Sequence, residues 1–180
     1  VHVRQTLNDT ADYLQSLNDQ TLELMNAGAT LDTILHAVKP PANLAEKPYL
    51  RAVYDEPEFI VRNIWRLEGG WHDGTPAHLK PAPEAEQARE IVVLAGGVEQ
   101  LVARAVDKME RRELALACHL IDWAALAAPD DKPVHEVRAK IFAARAHEAG
   151  STMAHGIFRA AALESARKAG ITPPDDPRHF

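Results

Sequence analysis

Apolar residues along this chain recur at helical spacing, and sustained period-two alternation is absent. That pattern most limits what the chain can fold into. Aromatic and β-branched residues are sparse and alanine is frequent, so strands have little support and an all-α fold is predicted. A first helix is expected from about Leu7 to Ala27, with Leu14, Leu17, Leu24 and Met25 on one stripe and Gly28 at a left-handed cap. Thr30 can cap a second, short helix in which Leu31, Ile34, Leu35 and Val38 fall at i, i+3, i+4 and i+7, before Pro40-Pro41 stops it. The stretch from Pro40 to Glu56 reads as an extended connection. Pro57 suits the first turn of a third helix running to about Glu68, with Ile60, Val61, Ile64 and Trp65 inward.

A long Gly- and Pro-rich loop follows, from Gly69-Gly70-Trp71-His72-Asp73-Gly74-Thr75-Pro76 to Pro81-Ala82-Pro83. Helices are then placed at about 84–95, 98–111, 113–128, 134–149 and 152–169, with a frayed tail from 171 to 180. The reading therefore has N-terminal helices and the long loop over 1–83 and a second helical part over 84–170. The last four helices resemble two stacked antiparallel hairpins of the tetratricopeptide kind. Leu101, Ala105, Ala117, Ile121, Ala124 and Pro129 follow that spacing, and Ala139, Ala143, Gly150 and Ala162 follow it less closely.

At 180 residues the chain can bury a core without metal or disulfide. A net charge of −6, with the Arg104–Arg112 cluster interrupted by Asp107 and Glu110, argues against nucleic-acid binding. No run of about twenty apolar residues exists to span a membrane. Nothing in the sequence addresses it to a compartment, cytoplasmic or exported. The chain opens on Val1, and amphipathic patterning begins within a few residues, as expected of an excised or processed segment. The single cysteine, Cys118, lies in an apolar helical run and reads as a buried small hydrophobe. No two of the nine histidines stand two residues apart, and His119, His135, His147 and His155 are scattered over three helices. No metal site and no catalytic residue are expected within the segment.

Three stretches together resemble the dimerisation domain of alkylsulfatases of the metallo-β-lactamase superfamily, which cleave sulfate esters such as dodecyl sulfate. The first is Asn18-Asp19-Gln20-Thr21 running through Leu24, Met25, Asn26, Ala27 and Gly28. The second joins Tyr54-Asp55-Glu56-Pro57-Glu58-Phe59, Arg62-Asn63-Ile64-Trp65-Arg66 and Gly69-Gly70-Trp71-His72-Asp73-Gly74-Thr75-Pro76-Ala77. It is similar to a family block ending in Gly-Trp-aromatic-Asp-Gly-Asn-Pro-Ala. The third is Ala95-Gly96-Gly97. The resemblance runs from about residue 5 to residue 168. It implies a homodimer and an upstream catalytic domain of the same parent chain, in which a His-rich cluster holds two zinc ions. Where detergent sulfatases carry a His-Asn pair followed by Lys, this chain has Phe59, Ile60 and Arg62, keeping only the cation. The likeness therefore points to the sulfatase architecture without fixing dodecyl sulfate as substrate.

Within the matched block, Arg62 and Arg66 share one helix face, with Asn63 beside them, and can point guanidinium forks at a sulfate or carboxylate. The alternative is pairing with Asp55, Glu56, Glu58 or Asp73 to tie the loop to the helix. Trp71, among glycines, is expected to anchor the loop on the core, with a ligand platform as the alternative. Tyr54 can donate to a sulfate oxygen or to the loop. These residues and Asp73 form the candidate substrate-flanking set. Leu14, Leu17, Leu24, Met25, Leu31 and Leu35 form the candidate dimer interface, where periodicity alone allows a core and the family resemblance favours self-association. The rival readings are a free-standing tetratricopeptide-like interaction module and an autonomous hydrolase using the histidines.

Overall fold

The computed structural model describes residues 3–175. They are all-helical and contain no strand, and they divide into two compact units, one ending at Lys80 and the other beginning at Pro81.

The first unit is built on α1 (Val3–Asn26), α2 (Leu31–Ala37), α3 (Ala42–Ala45) and α4 (Pro57–Leu67). α1 starts four residues before its expected N-terminus. It ends where expected, with Gly28 at φ +79° and Ala29 N–H donating back to the Leu24 carbonyl at 3.0 Å. Thr30 caps α2, its Oγ1 accepting from Thr33 N–H at 3.3 Å. One face of each helix then closes a core of Tyr13, Leu17, Ile34, Val38, Leu44, Val61 and Trp65. Thr21 is fully buried in α1, and its hydroxyl donates to the Leu17 carbonyl one turn earlier, so no polar group is stranded.

The connection expected to be extended from Pro40 to Glu56 instead holds α3 and a 3₁₀ turn at Pro48–Leu50. Pieces of four and three residues are too short to show periodicity, and tertiary contacts fix them. Leu44 is buried in the core, while Lys47 Nζ and Tyr49 Oη both donate to Asp9 Oδ2 of α1, at 2.5 and 2.6 Å.

The second unit stacks α5 (Glu84–Ala95), α6 (Val98–Glu110), α7 (Leu114–Ala127), α8 (Lys132–Glu148) and α9 (Thr152–Ala169), all within two residues of their expected positions. α6 with α7 and α8 with α9 form consecutive hairpins. Alanines 105, 117, 124, 139, 146, 162 and 166 are buried between helices, so backbones approach closely where no larger side chain intervenes. Leu101, Ile121, Ile141 and Phe142 fill the remaining space. Asp131 and Ser151 cap α8 and α9 through bonds of 3.1 and 3.2 Å from Val134 N–H and Ala154 N–H.

Candidate functional site

α4 is the element that carries most of the candidate residues. Val61 and Trp65 face the core, so the opposite face is left to Arg62, Asn63 and Arg66, all exposed. Neither arginine makes an ion pair among the described residues, so the alternative in which they tie the loop to the helix does not hold. Two guanidinium groups one turn apart, free of internal partners, can meet an oxyanion presented from outside.

The loop after α4 is held by other groups. Gly70 lies flat on the Trp65 indole, so close that a Cβ there would stand 2.3 Å from the ring, and Gly70 N–H donates to the Trp65 carbonyl at 2.8 Å. The anchoring tryptophan is therefore Trp65. Trp71, expected to pin the loop, is 83% exposed, because the chain crossing the Trp65 ring turns the next side chain outward, where its ring stands 5.6 Å from that of His72. Asp73 is taken up inside the loop. Its carboxylate accepts from His78 Nδ1 at 2.5 Å and from Thr75 N–H at 2.9 Å, and its carbonyl accepts from Leu31 N–H at 3.0 Å. The His78 bond first, and then the Thr75 bond, hold that acid below the ordinary carboxylate range.

Tyr54 is 71% exposed and lines an open cleft of about 450 Å³ with Tyr13, Leu14, Tyr49, Val53 and Ile60. Of the six candidate flanking residues only Tyr54 lines this cleft; Arg62, Asn63, Arg66, Trp71 and Asp73 do not.

The stripe assigned to self-association divides. Leu17 has no exposed surface and belongs to the unit's own core, with Leu24, Met25, Leu31 and Leu35 half-buried around it. A side chain enclosed by its own unit has no area left for a partner. Leu14, 44% exposed, is different, and so are Val3 and Leu7 at 74% and 64%, which the sequence reading passed over. The signal that finds them is the spacing 3, 7, 10, 14, 17, 21, 24, which continues the α1 stripe toward its N-terminus.

In the second unit most buried polar groups are hydrogen-bonded, Thr152 Oγ1 being the exception among the described residues. His135 Nε2–H donates to the Pro129 carbonyl at 2.8 Å, His155 Nδ1–H donates to the Ala146 carbonyl at 3.0 Å, and Arg138 joins Asp122 and the Ser165 hydroxyl at 2.7 Å each. Burial pushes the Cys118 thiol up to about 11, which makes it a poor nucleophile. Among the described residues no three His, Cys, Asp or Glu side chains are grouped to hold a metal ion, and no helix is long and apolar enough to cross a membrane.

The described residues thus form an all-helical chain with exposed apolar and cationic faces. Residues 30–168 match the family model for alkyl sulfatase dimerisation, and the chain belongs to that family. It is 35% identical over 141 residues, 78% of its length, to a linear primary-alkylsulfatase of Pseudomonas sp. (strain ATCC 19151). It is 30% identical over 167 residues to an (R)-specific secondary-alkylsulfatase of Pseudomonas sp., covering 90% of this chain and 25% of the relative. Among solved structures, the stereoselective inverting sec-alkylsulfatase Pisa1 from Pseudomonas sp. superposes with a TM-score of 0.85 at 27% identity, covering 94% of this chain and 27% of that one. The chain thus spans about a quarter of the length of these relatives.

Proposed function

We propose that this chain is the dimerisation and active-site-flanking domain of a zinc-dependent sulfuric ester hydrolase of the metallo-β-lactamase superfamily. Alone it performs no catalysis. It holds two catalytic domains together as a homodimer, and the outer face of α4, with Tyr54 and Trp71 nearby in sequence, walls part of the substrate pocket. The observation that carries the reading is the family match over residues 30–168 to a segment that makes up only 27% of an alkylsulfatase. The remaining length of such relatives leaves room for a catalytic domain with its two zinc ions.

Arg62 and Arg66 then act by charge, meeting the sulfate head with groups that no carboxylate among the described residues neutralises. Asp73 shapes the loop and does not contact substrate.

The test is made on the parent enzyme. The gene is expected to encode a His-rich metal cluster upstream of Val1, and the purified parent to release sulfate from alkyl sulfates only while zinc is bound. Arg62→Ala combined with Arg66→Ala is expected to raise KM about tenfold or more with a smaller effect on kcat, the pattern of lost substrate binding. A parent without a metal cluster, or arginine variants with unchanged KM, would remove the zinc-hydrolase or the pocket-wall part of the reading respectively.

A further inference from the structure

α7 is apolar on more than one side. Ala117, Ile121 and Ala124 have no exposed surface, and α5, α6 and α8 all pack against the helix. A second row, Leu116, Leu120 and Trp123, follows at i, i+4 and i+7, with Leu116 51% exposed and the other two half-buried. Across the hairpin, Arg104 and Lys108 stand one turn apart on α6. Together with His119, whose ring stands 6.3 Å from that of Trp123, these residues line an open slot of about 400 Å³. The slot combines an apolar row with two cations, and none of its described lining residues is acidic, although the chain carries a net charge of −6. Asp107 and Glu113 hold the cations without lining the slot, accepting from Arg104 Nη1 at 2.7 Å and from Lys108 Nζ at 2.6 Å. A guanidinium has five N–H donors and an ammonium three, so each keeps donors for a further acceptor.

We infer that this slot binds a single-chain amphiphile with an anionic head, a linear alkyl carboxylate or alkyl sulfate. The site belongs to the second unit and contains none of the residues assigned to the outer face of α4. Three features favour that occupant. The volume falls within the range of about 300–1,000 Å³ usual for small-molecule pockets. From Leu116 to Trp123 the lining covers only about two turns of α7, too short a track for a partner protein, which must bury on the order of 1,000 Å². The chemistry also matches at both ends of such a molecule. Its alkyl chain leaves water against Leu116, Leu120 and Trp123, and its head accepts charge-assisted hydrogen bonds from Arg104 and Lys108. A neutral lipid leaves the cations unused, and an inorganic anion leaves the apolar row bare.

Equilibrium titration of the whole chain with decanoate and with decyl sulfate, each kept below its micelle concentration, tests the slot. One saturable site per chain is expected for both. Decanol, a tail without the charge, and inorganic sulfate, a charge without the tail, are expected to bind about tenfold more weakly or worse. Octanoate, two methylenes shorter, is expected to bind about tenfold more weakly than decanoate. Arg104→Gln and Leu116→Glu change side chains that are 56% and 51% exposed, so both variants are expected to keep wild-type helicity and melting temperature. The first is expected to weaken binding about tenfold, and the second, which sets a carboxylate in the slot, about 100-fold. Arg62→Ala combined with Arg66→Ala in the first unit is the control and is expected to bind as wild type. A preference between decanoate and decyl sulfate supports the slot and identifies its head group. Uptake of many molecules per chain without saturation, or equal binding of decanol and decanoate, would overturn the assignment. So would a site that survives Arg104→Gln and Leu116→Glu unchanged or disappears in the control.

Discussion

At the residue scale, two residues in the first unit, Gly70 and Asp9, have roles that their types alone did not announce. Gly70 is required by the ring beneath it, since any Cβ would press into Trp65 at 2.3 Å. Gly70→Ala is therefore expected to cost about 1–3 kcal/mol, as overpacking of a filled site does, and to change the near-ultraviolet circular dichroism from the displaced indole. An unchanged melting temperature would show that the loop can lift without penalty. Asp9 gathers Lys47 and Tyr49 across 38 and 40 residues of sequence, and the Lys47 bond chiefly, with the Tyr49 bond, holds its pKa below 3.8. A depressed carboxylate pKa contributes stability that is full above the unfolded value and is lost as pH falls through the folded one. The stability difference between wild type and Asp9→Asn is therefore expected to be present at neutral pH and to shrink on acidification below 3.8. A difference that is constant down to the acid unfolding range would count against the clasp.

At the element scale, α1 and α9 show how one periodicity serves different ends. Leu17 and Leu7 occupy the same stripe of α1, yet one is enclosed and the other 64% exposed. Leu17→Asp is accordingly expected to unfold the first unit, a buried unpaired carboxylate costing several kcal/mol, whereas Leu7→Asp leaves it folded. Loss of helical circular dichroism in the first variant alone is the result that separates them. In the second unit α8 and α9 meet through small residues, with Ala162 and Ala166 fully buried. Ala162→Leu is expected to destabilise by about 1–3 kcal/mol, read as a lower urea midpoint at unchanged slope. A midpoint equal to wild type would mean that the hairpin has room to spare.

At the scale of the whole molecule, a chain matching about a quarter of an alkylsulfatase is expected to be chemically silent by itself. His135 and His155 are committed to backbone carbonyls, and the thiol of Cys118 is pushed up to about 11. Purified chain is expected to retain no stoichiometric zinc after dialysis and to release no sulfate from dodecyl sulfate with zinc added. One or two tightly held zinc ions per chain in elemental analysis would contradict that assignment of the chemistry to the rest of the parent.

The sequence by itself determined the longer helices and most of their ends, though not α3 or the first turn of α1. Apolar spacing is a local property of the chain, and so are the stops and caps at Gly28, Thr30, Pro57, Gly96, Asp131 and Ser151, because a turn's dihedral demands and a cap's hydrogen bond involve residues within a few positions of one another. It also carried the block from Tyr54 to Ala77 by which the family could be met. Tertiary structure alone decided which part of a long stripe is core and which is surface. Leu17 and Leu7 are equivalent in pattern, and only the arrival of α2 and α4 over one of them distinguishes the two. It decided as well that Trp65 and not Trp71 anchors the loop, that Asp73 bonds to His78 and Thr75 while Arg62 and Arg66 make no ion pair among the described residues, and that the segment after Pro40 folds onto Asp9. Each of these depends on contacts between positions whose separation in sequence leaves no periodic trace, and burial is fixed by what packs opposite a residue rather than by the residue itself.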